Sequence, residues 1–193
     1  MTWKIPKTER TRLRTLARKQ AEAAALPVMA ERRRMWYDLN DGVAGVRPPV
    51  VIETQTFDRD FMPESVYRCA SKTGRAIERQ LLRNVREHEL IDDDRVTPDS
   101  YALGWFVSID ALGVAIPRDR VKDAQGVLTG YRFLHPIKDI RRDLDLVKPP
   151  VCSVDREGTL AYKAFLEDLF GDILPVRLAG SVKDVAEEVL QEG

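Results

Sequence analysis

Cysteine and histidine are scarce in this 193-residue chain, two of each. Cys69 and Cys152 cannot build the disulfide framework of a small secreted protein, so a reducing cytoplasm is the expected compartment. No apolar run approaches the roughly 20 residues of a membrane-spanning helix, and no membrane association is expected. The basic opening, Met1–Lys19, holds no apolar stretch of a secretory leader. Internal repeats and low-complexity tracts are absent. So are the short signatures of cofactor and catalytic sites: there is no Walker loop, no G-x-G-x-x-G, no H-E-x-x-H, no G-x-S-x-G and no paired C-x-x-C. What the chain does have is 44% apolar and 32% charged residues, a balance that excludes general disorder. At this length about two-thirds of the unfolded surface can be buried, enough for a core without covalent staples.

Net charge is zero, 31 basic against 31 acidic side chains, but it is unevenly spread. Residues 1–40 hold ten Lys and Arg against four Asp and Glu. Such asymmetry marks either a basic arm or a helix folded against an acidic domain, and the second is the expectation. Pro6 suits the first turn of a helix whose apolar face is Leu13, Leu16, Ala17, Gln20, Ala21 and Ala24, with Lys7, Arg10, Arg14 and Arg18 opposite. A second helix is expected from Met29 to Leu39, stopped by Asn40-Asp41-Gly42. A longer one spans Glu64 to Leu90. Its apolar stripe is Ala70, Gly74, Ile77, Leu81 and Val85, and Arg68, Lys72, Arg75, Arg79, Arg83 and Arg86 recur on the other side.

Val50-Val51-Ile52, led in by Pro48-Pro49, is a β-branched run without polar alternation and reads as a strand covered on both faces, as in a parallel sheet. It ends in Glu53, Thr54 and Gln55, and α/β folds keep their chemistry at such strand ends. Tyr101–Ile109 and Val127–Leu134 read as an antiparallel pair inserted into the α/β order. Residues 139–147 suit a short helix, Val151–Val154 a strand, and Asp155 the N-cap of a helix that runs through Phe170 to a stop at Gly171. Leu174–Leu178 is a further strand, followed by a helix over 182–190. Strand and helix thus alternate in the second half, the pattern of βαβ units.

Few side chains stand out for chemistry. His135, before Pro136 at a strand end, is the better placed histidine, while His88 reads as a helix-terminal packing residue. A zinc site from His135, Cys152 and an acid has suitable donors, but the spacing fits no local ligand pattern, and no metal site is expected in this chain. Asp92-Asp93-Asp94 lacks the spaced acids, glycine and closing glutamate of a calcium loop and reads as a solvated loop. Cys69, taken as helical beside Arg68 and Lys72, is a thiol whose pKa those cations would lower. Arg75, Arg79 and Arg83 offer an anion site. However, Glu78, Glu87 and Glu89 dilute the stripe and no aromatic side chains interleave to stack bases, so nucleic acid is not the expected partner.

One set of segments stands in a telling order: Arg33-Arg34-Met35-Trp36-Tyr37-Asp38-Leu39-Asn40, Arg47-Pro48-Pro49-Val50-Val51-Ile52-Glu53, Ile77-Glu78-Arg79-Gln80-Leu81-Leu82-Arg83, Ile91-Asp92-Asp93-Asp94, and Leu169-Phe170-Gly171-Asp172-Ile173-Leu174-Pro175-Val176. In this order, over residues 10–180, the chain resembles the N-terminal part of bacterial uroporphyrinogen decarboxylase-like proteins, a superfamily that also holds cobalamin-dependent methyltransferases. The resemblance implies an α/β fold of the TIM-type (β/α)8 barrel class. Residues 1–46 would be an N-terminal helical segment and 47–193 a partial barrel domain with an inserted β-hairpin. Val50–Ile52 would be the first barrel strand. Glu53 and Gln55 would then bind substrate at its mouth, with His135 as a further candidate. A barrel needs about 250 residues, so the implied barrel is incomplete and the chain is a fragment or half of a split enzyme. Its partners would be the remaining barrel segment or a second chain, and a corrinoid protein.

Decarboxylases of the superfamily follow the first strand with an arginine-bearing motif that meets substrate carboxylates. Glu53-Thr54-Gln55-Thr56-Phe57 stands here instead, which favours corrinoid-dependent methyl transfer over decarboxylation. The zinc ligands of the methyltransferases lie in the later half of their barrel. Zinc and a corrinoid partner therefore belong to the complete protein, and this chain alone is expected to be inactive. The alternative is a non-catalytic module that holds an anionic partner on the Arg68–Arg86 helix face.

Overall fold

Pro6 stands immediately before the first helix, α1 (Lys7–Ala24), where its missing N–H costs nothing, and Pro27 opens the second, α2 (Pro27–Asn40). A short helix α3 (Asp58–Phe61), the long α4 (Lys72–Leu90) and strands β1 (Tyr101–Leu103), β2 (Val107–Asp110), β3 (Arg118–Lys122) and β4 (Leu128–Phe133) follow. The short α5 (Ile140–Asp143), β5 (Val151–Val154), α6 (Arg156–Phe170) and β6 (Val176–Leu178) complete the order. The computed structural model describes residues 3–110, 113–114, 116–124, 126 and 128–179. These form two units, one from the chain up to Trp105 together with the chain from Glu157 on, the other from Phe106–Arg156. The fold is mixed α/β, and the described strands form three two-stranded sheets with no closed barrel.

The larger unit is built on α1 and α4, which pack along each other. Leu13, Leu16 and Ala17 from α1 and Ile77, Leu81 and Val85 from α4 are buried. Each of the larger ones contributes about 1.5–3 kcal/mol by leaving water. Gln20, on the same face, is buried and satisfied. Its Nε2 donates to Pro98 O and Ser100 O at 2.9 and 3.2 Å, and its Oε1 accepts from Asn84 Nδ2 at 3.0 Å. The basic side of α1 meets acids within the fold: Arg10 with Asp168 at 2.9 Å, Arg12 with Glu78 at 3.0 Å, Arg14 with Asp172 at 2.6 Å and Lys19 with Glu89 at 2.8 Å. The positive excess of residues 1–40 is that of a helix folded against acidic neighbours.

β1 and β6 pair in parallel, with Tyr101 opposite Val176, Ala102 opposite Arg177 and Leu103 opposite Leu178. A parallel pair cannot be joined by a tight turn. In the chain α6 leads into β6, and its Leu166, Leu169 and Phe170 are buried with Tyr101, Leu103, Leu174 and Val176. The rings of Tyr101 and Phe170 lie 5.4 Å apart. Tyr101 N donates to Pro175 O and Ala179 N to Leu103 O, so alternate residues of β6 face β1. The backbone groups of Val176 and Leu178 consequently point to the far edge of the pair. Gly171 follows α6 without a left-handed φ. It is there because a Cβ would lie 2.7 Å from the Glu167 carbonyl oxygen.

Three sequence expectations are corrected. Val50–Ile52 is not a strand and is not covered: the three side chains are 60%, 40% and 44% exposed. Among the described residues no strand lies beside it. Instead Val50 N donates to Asp94 Oδ2 at 2.7 Å, Ile52 N to Asp93 Oδ2 at 3.0 Å, and Asp94 N to Val50 O at 2.9 Å. Secondly, Tyr101–Ile109 and Val127–Leu134 are not partners. The first is broken at Gly104 into β1 and β2, β2 pairs antiparallel with β5, and the hairpin is β3 with β4. Thirdly, the helix expected from Glu64 starts at Lys72, with Ser71 as its N-cap accepting from Gly74 N at 3.0 Å. The helix expected over 182–190 lies outside the described residues.

The smaller unit is two ribbons, β2–β5 and β3–β4, with Gly126 at φ 78° in the turn between β3 and β4. Among its described residues no side chain is buried. Val151, Ile140 and Ile116 are 64%, 59% and 57% exposed. Its polar groups are better organised. Asp143 accepts from Lys138 N and Asp139 N at 3.0 and 3.1 Å and from Arg142 Nε at 2.9 Å, and hydrogen bonding from Arg142 and these amides holds its carboxyl down at about 2.

Candidate functional site

The arginine stripe of α4 is a platform for the chain that precedes it. Arg79 Nη2 donates to Asp58 Oδ2 at 2.6 Å, and Arg83 pairs with Asp58 and donates to Thr54 Oγ1 at 3.0 Å. Arg75 donates to Glu64 Oε2 at 3.0 Å and to Cys69 O at 2.9 Å, with its guanidinium 4.3 Å above the Tyr67 ring. Arg86 donates to Phe61 O at 3.0 Å and Arg68 to Ser65 O at 2.7 Å. An external anion on Arg75, Arg79 and Arg83 has to compete with Asp58 and Glu64.

Two buried carboxylates clamp the approach to α4. Glu78 accepts from Arg68 N at 2.9 Å, Cys69 N at 2.8 Å and Arg12 Nε at 3.0 Å. Glu9 accepts from Ala70 N at 2.8 Å, Ser71 N at 3.0 Å and Ser71 Oγ at 2.5 Å. Burial pushes both carboxyls up, but the hydrogen bonds outweigh it and both end below the ordinary range. The thiol between them responds in the opposite sense. Cys69 lies before the helix and not on it, and burial, then the Glu78 and Glu9 charges, pushes it up to about 12. The expectation that Arg68 and Lys72 activate it is overturned.

Glu53 and Gln55 are exposed, one before and one within a 3-10 turn, Thr54–Phe57. With Val50–Ile52 unpaired, they do not stand at a strand end. Their neighbour Thr54, passed over in the sequence, is the buried member: its Oγ1 donates to Glu87 Oε1 at 2.6 Å. The acidic triplet is a pair of anchors rather than a solvated loop. Asp93 is buried and holds Ile52 N, while Asp94 takes Arg47 on both oxygens at 2.6 and 2.8 Å and is held at about 2 by that pairing and Val50 N–H. Asp92 is the solvated one. A cleft of about 360 Å³ beside this segment is lined by Arg33, Trp36, Tyr37, Asn40, Val51, Arg95 and Val96. Its Arg95 is paired with Glu87 at 3.3 Å and Asp93 at 3.6 Å.

His135 belongs to the smaller unit. It lines a cleft of about 800 Å³ with Arg132, Phe133, Leu134, Ile137 and Lys138. In the chain this unit occupies the connection from β1 to α6. Cys152 is exposed on β5, opposite Ile109, and His88 is half-buried in the last turn of α4. Among the described residues no three His, Cys, Asp or Glu side chains gather as a metal ion requires. No described helix is long and apolar enough to cross a membrane. Comparison with known proteins found no match among family models, curated proteins or solved structures.

Proposed function

We propose that this chain is the amino-terminal part of a uroporphyrinogen decarboxylase-like barrel enzyme, inactive alone, whose complete form transfers a methyl group with a corrinoid-bearing partner. The observation that carries this reading is the β1–α6–β6 arrangement, two parallel strands with a helix in the connection between them. That is the repeating unit of a (β/α)8 barrel. In this reading the first two barrel strands are Tyr101–Leu103 and Val176–Leu178, and the Val50–Ile52 segment precedes the barrel. Two parallel strands alone fall short of a stable sheet, and parallel sheets are normally covered on both faces. The far edge of β6, at Val176 and Leu178, is where the next strand would add.

The smaller unit then fills the first strand-to-helix connection, the position from which barrel enzymes draw their chemistry. In this reading His135 stays a candidate through its place in the chain between β1 and α6, while Glu53 and Gln55 lose the strand end that recommended them. Methyl transfer is kept here from the sequence resemblance; with Val50–Ile52 placed before the barrel, the arginine-free Glu53–Phe57 segment no longer bears on decarboxylation. Zinc, which activates a thiol acceptor as a Lewis acid, would in this reading be held by residues of the complete protein.

Co-production with the polypeptide encoded downstream tests the proposal. The expected result is a stable complex that methylates a thiol from a corrinoid protein, while the chain alone does not. Failure of any downstream segment to associate with the chain would overturn it.

A further inference from the structure

Three of the four arginines that line clefts in the larger unit, Arg32, Arg47 and Arg95, have an acid beside them, and Arg33 has none among the described residues. Arg95 is matched by Glu87 and Asp93, and Arg47 by Asp94. The His135 cleft differs. Arg132, His135 and Lys138 line it, no acidic side chain does, and none of the three makes an ion pair among the described residues. Asp119 stands opposite Arg132 across the hairpin but does not pair with it, and Asp143 is hydrogen-bonded to Arg142 and to the amides of Lys138 and Asp139 while also feeling the Lys138 charge without forming an ion pair with it. Phe133, Leu134 and Ile137 supply the apolar part of the lining, with the Arg118 guanidinium 5.0 Å from the Phe133 ring centre. At about 800 Å³ the cleft is in the size range of small-molecule sites, roughly 300–1,000 Å³.

We propose that this cleft binds an amphipathic organic anion. Its carboxylate or phosphate head sits on Arg132, His135 and Lys138, and its apolar frame lies on Phe133, Leu134 and Ile137. A guanidinium offers two parallel N–H donors to either head group, and the lysine adds a point charge. The apolar wall selects against inorganic anions, which have nothing to place on it. Binding needs only the smaller unit. That the ligand is a substrate rests on the barrel reading above, in which this unit occupies the first strand-to-helix connection.

Titration of the full chain with naphthoate, naphthyl phosphate and the uncharged naphthamide tests this. At least one anion should bind about tenfold more tightly than the amide, the worth of one charged hydrogen bond. Arg132→Ala and Lys138→Ala should each remove most of that difference, while Arg120→Ala, on the same hairpin, should leave it unchanged. The preference between the two anions identifies the head group. Equal binding of all three probes would overturn the proposal. So would an anion preference that survives both variants. Neither result touches the barrel reading, which depends on association with a second polypeptide.

Discussion

Glu9 and Glu78 show how a buried acid can organise backbone. Between them they accept four backbone N–H groups from Arg68 to Ser71, groups that otherwise meet no strand or helix. Gly74 is part of the same device, because a Cβ there would collide with Glu9 Oε2 and Ser71 Oγ. Glu78→Ala should therefore cost about 3 kcal/mol, the penalty for leaving two backbone amides and the half-buried Arg12 without their buried acceptor, measured by urea unfolding. Both carboxyls are held below their ordinary value of 4.5, so their stabilisation is present above that pH and lost as pH falls through the folded values. The melting temperature should drop on acidification below about pH 4.5, and less steeply in Glu78→Ala. The thiols give a separate check. Cys152 is exposed and Cys69 is buried with its pKa near 12, so a thiol reagent at mildly alkaline pH should label Cys152 quickly and Cys69 only on unfolding.

At the scale of elements, the helices were legible because their signal is local. Leu13, Leu16 and Ala17, or Ile77, Leu81 and Val85, recur at a period that only a helix satisfies, and all are buried. The strands depend on what lies beside them, and that is not local. Val50-Val51-Ile52 has the composition of a core strand, yet it is anchored by Asp93 and Asp94 and exposed. Arg118–Lys122, exposed along its whole length, forms a strand without the alternation that would have revealed it. The candidate site divides in the same way. His135 was visible from its place near a proline, but its cationic neighbours Arg132 and Lys138 carry no spacing that marks a site. A pair of substitutions separates the two kinds of segment. Val51→Lys should change stability by less than about 0.5 kcal/mol, as for exposed positions. Leu81→Ala should cost about 2–5 kcal/mol. A large loss in Val51→Lys would return that segment to the core.

For the whole molecule, the contrast between the two units is the central fact. One has a core that runs from α1 through α4 to the β1–β6 pair. The other exposes Ile109, Ile116, Val121, Tyr131, Phe133, Leu134, Ile140, Leu144, Leu146, Val147 and Val151, and buries nothing among its described residues. Monomeric proteins rarely leave large apolar patches uncovered, and under the proposed function the complete protein would have to cover these side chains. The most direct measurement is the fluorescence of an apolar dye as the isolated chain is heated. The account predicts strong dye binding to the native chain at low temperature, before any unfolding. A dye that stays dark until a single sharp melting transition would contradict it, because the chain would then be a finished fold with no surface awaiting the rest of a barrel.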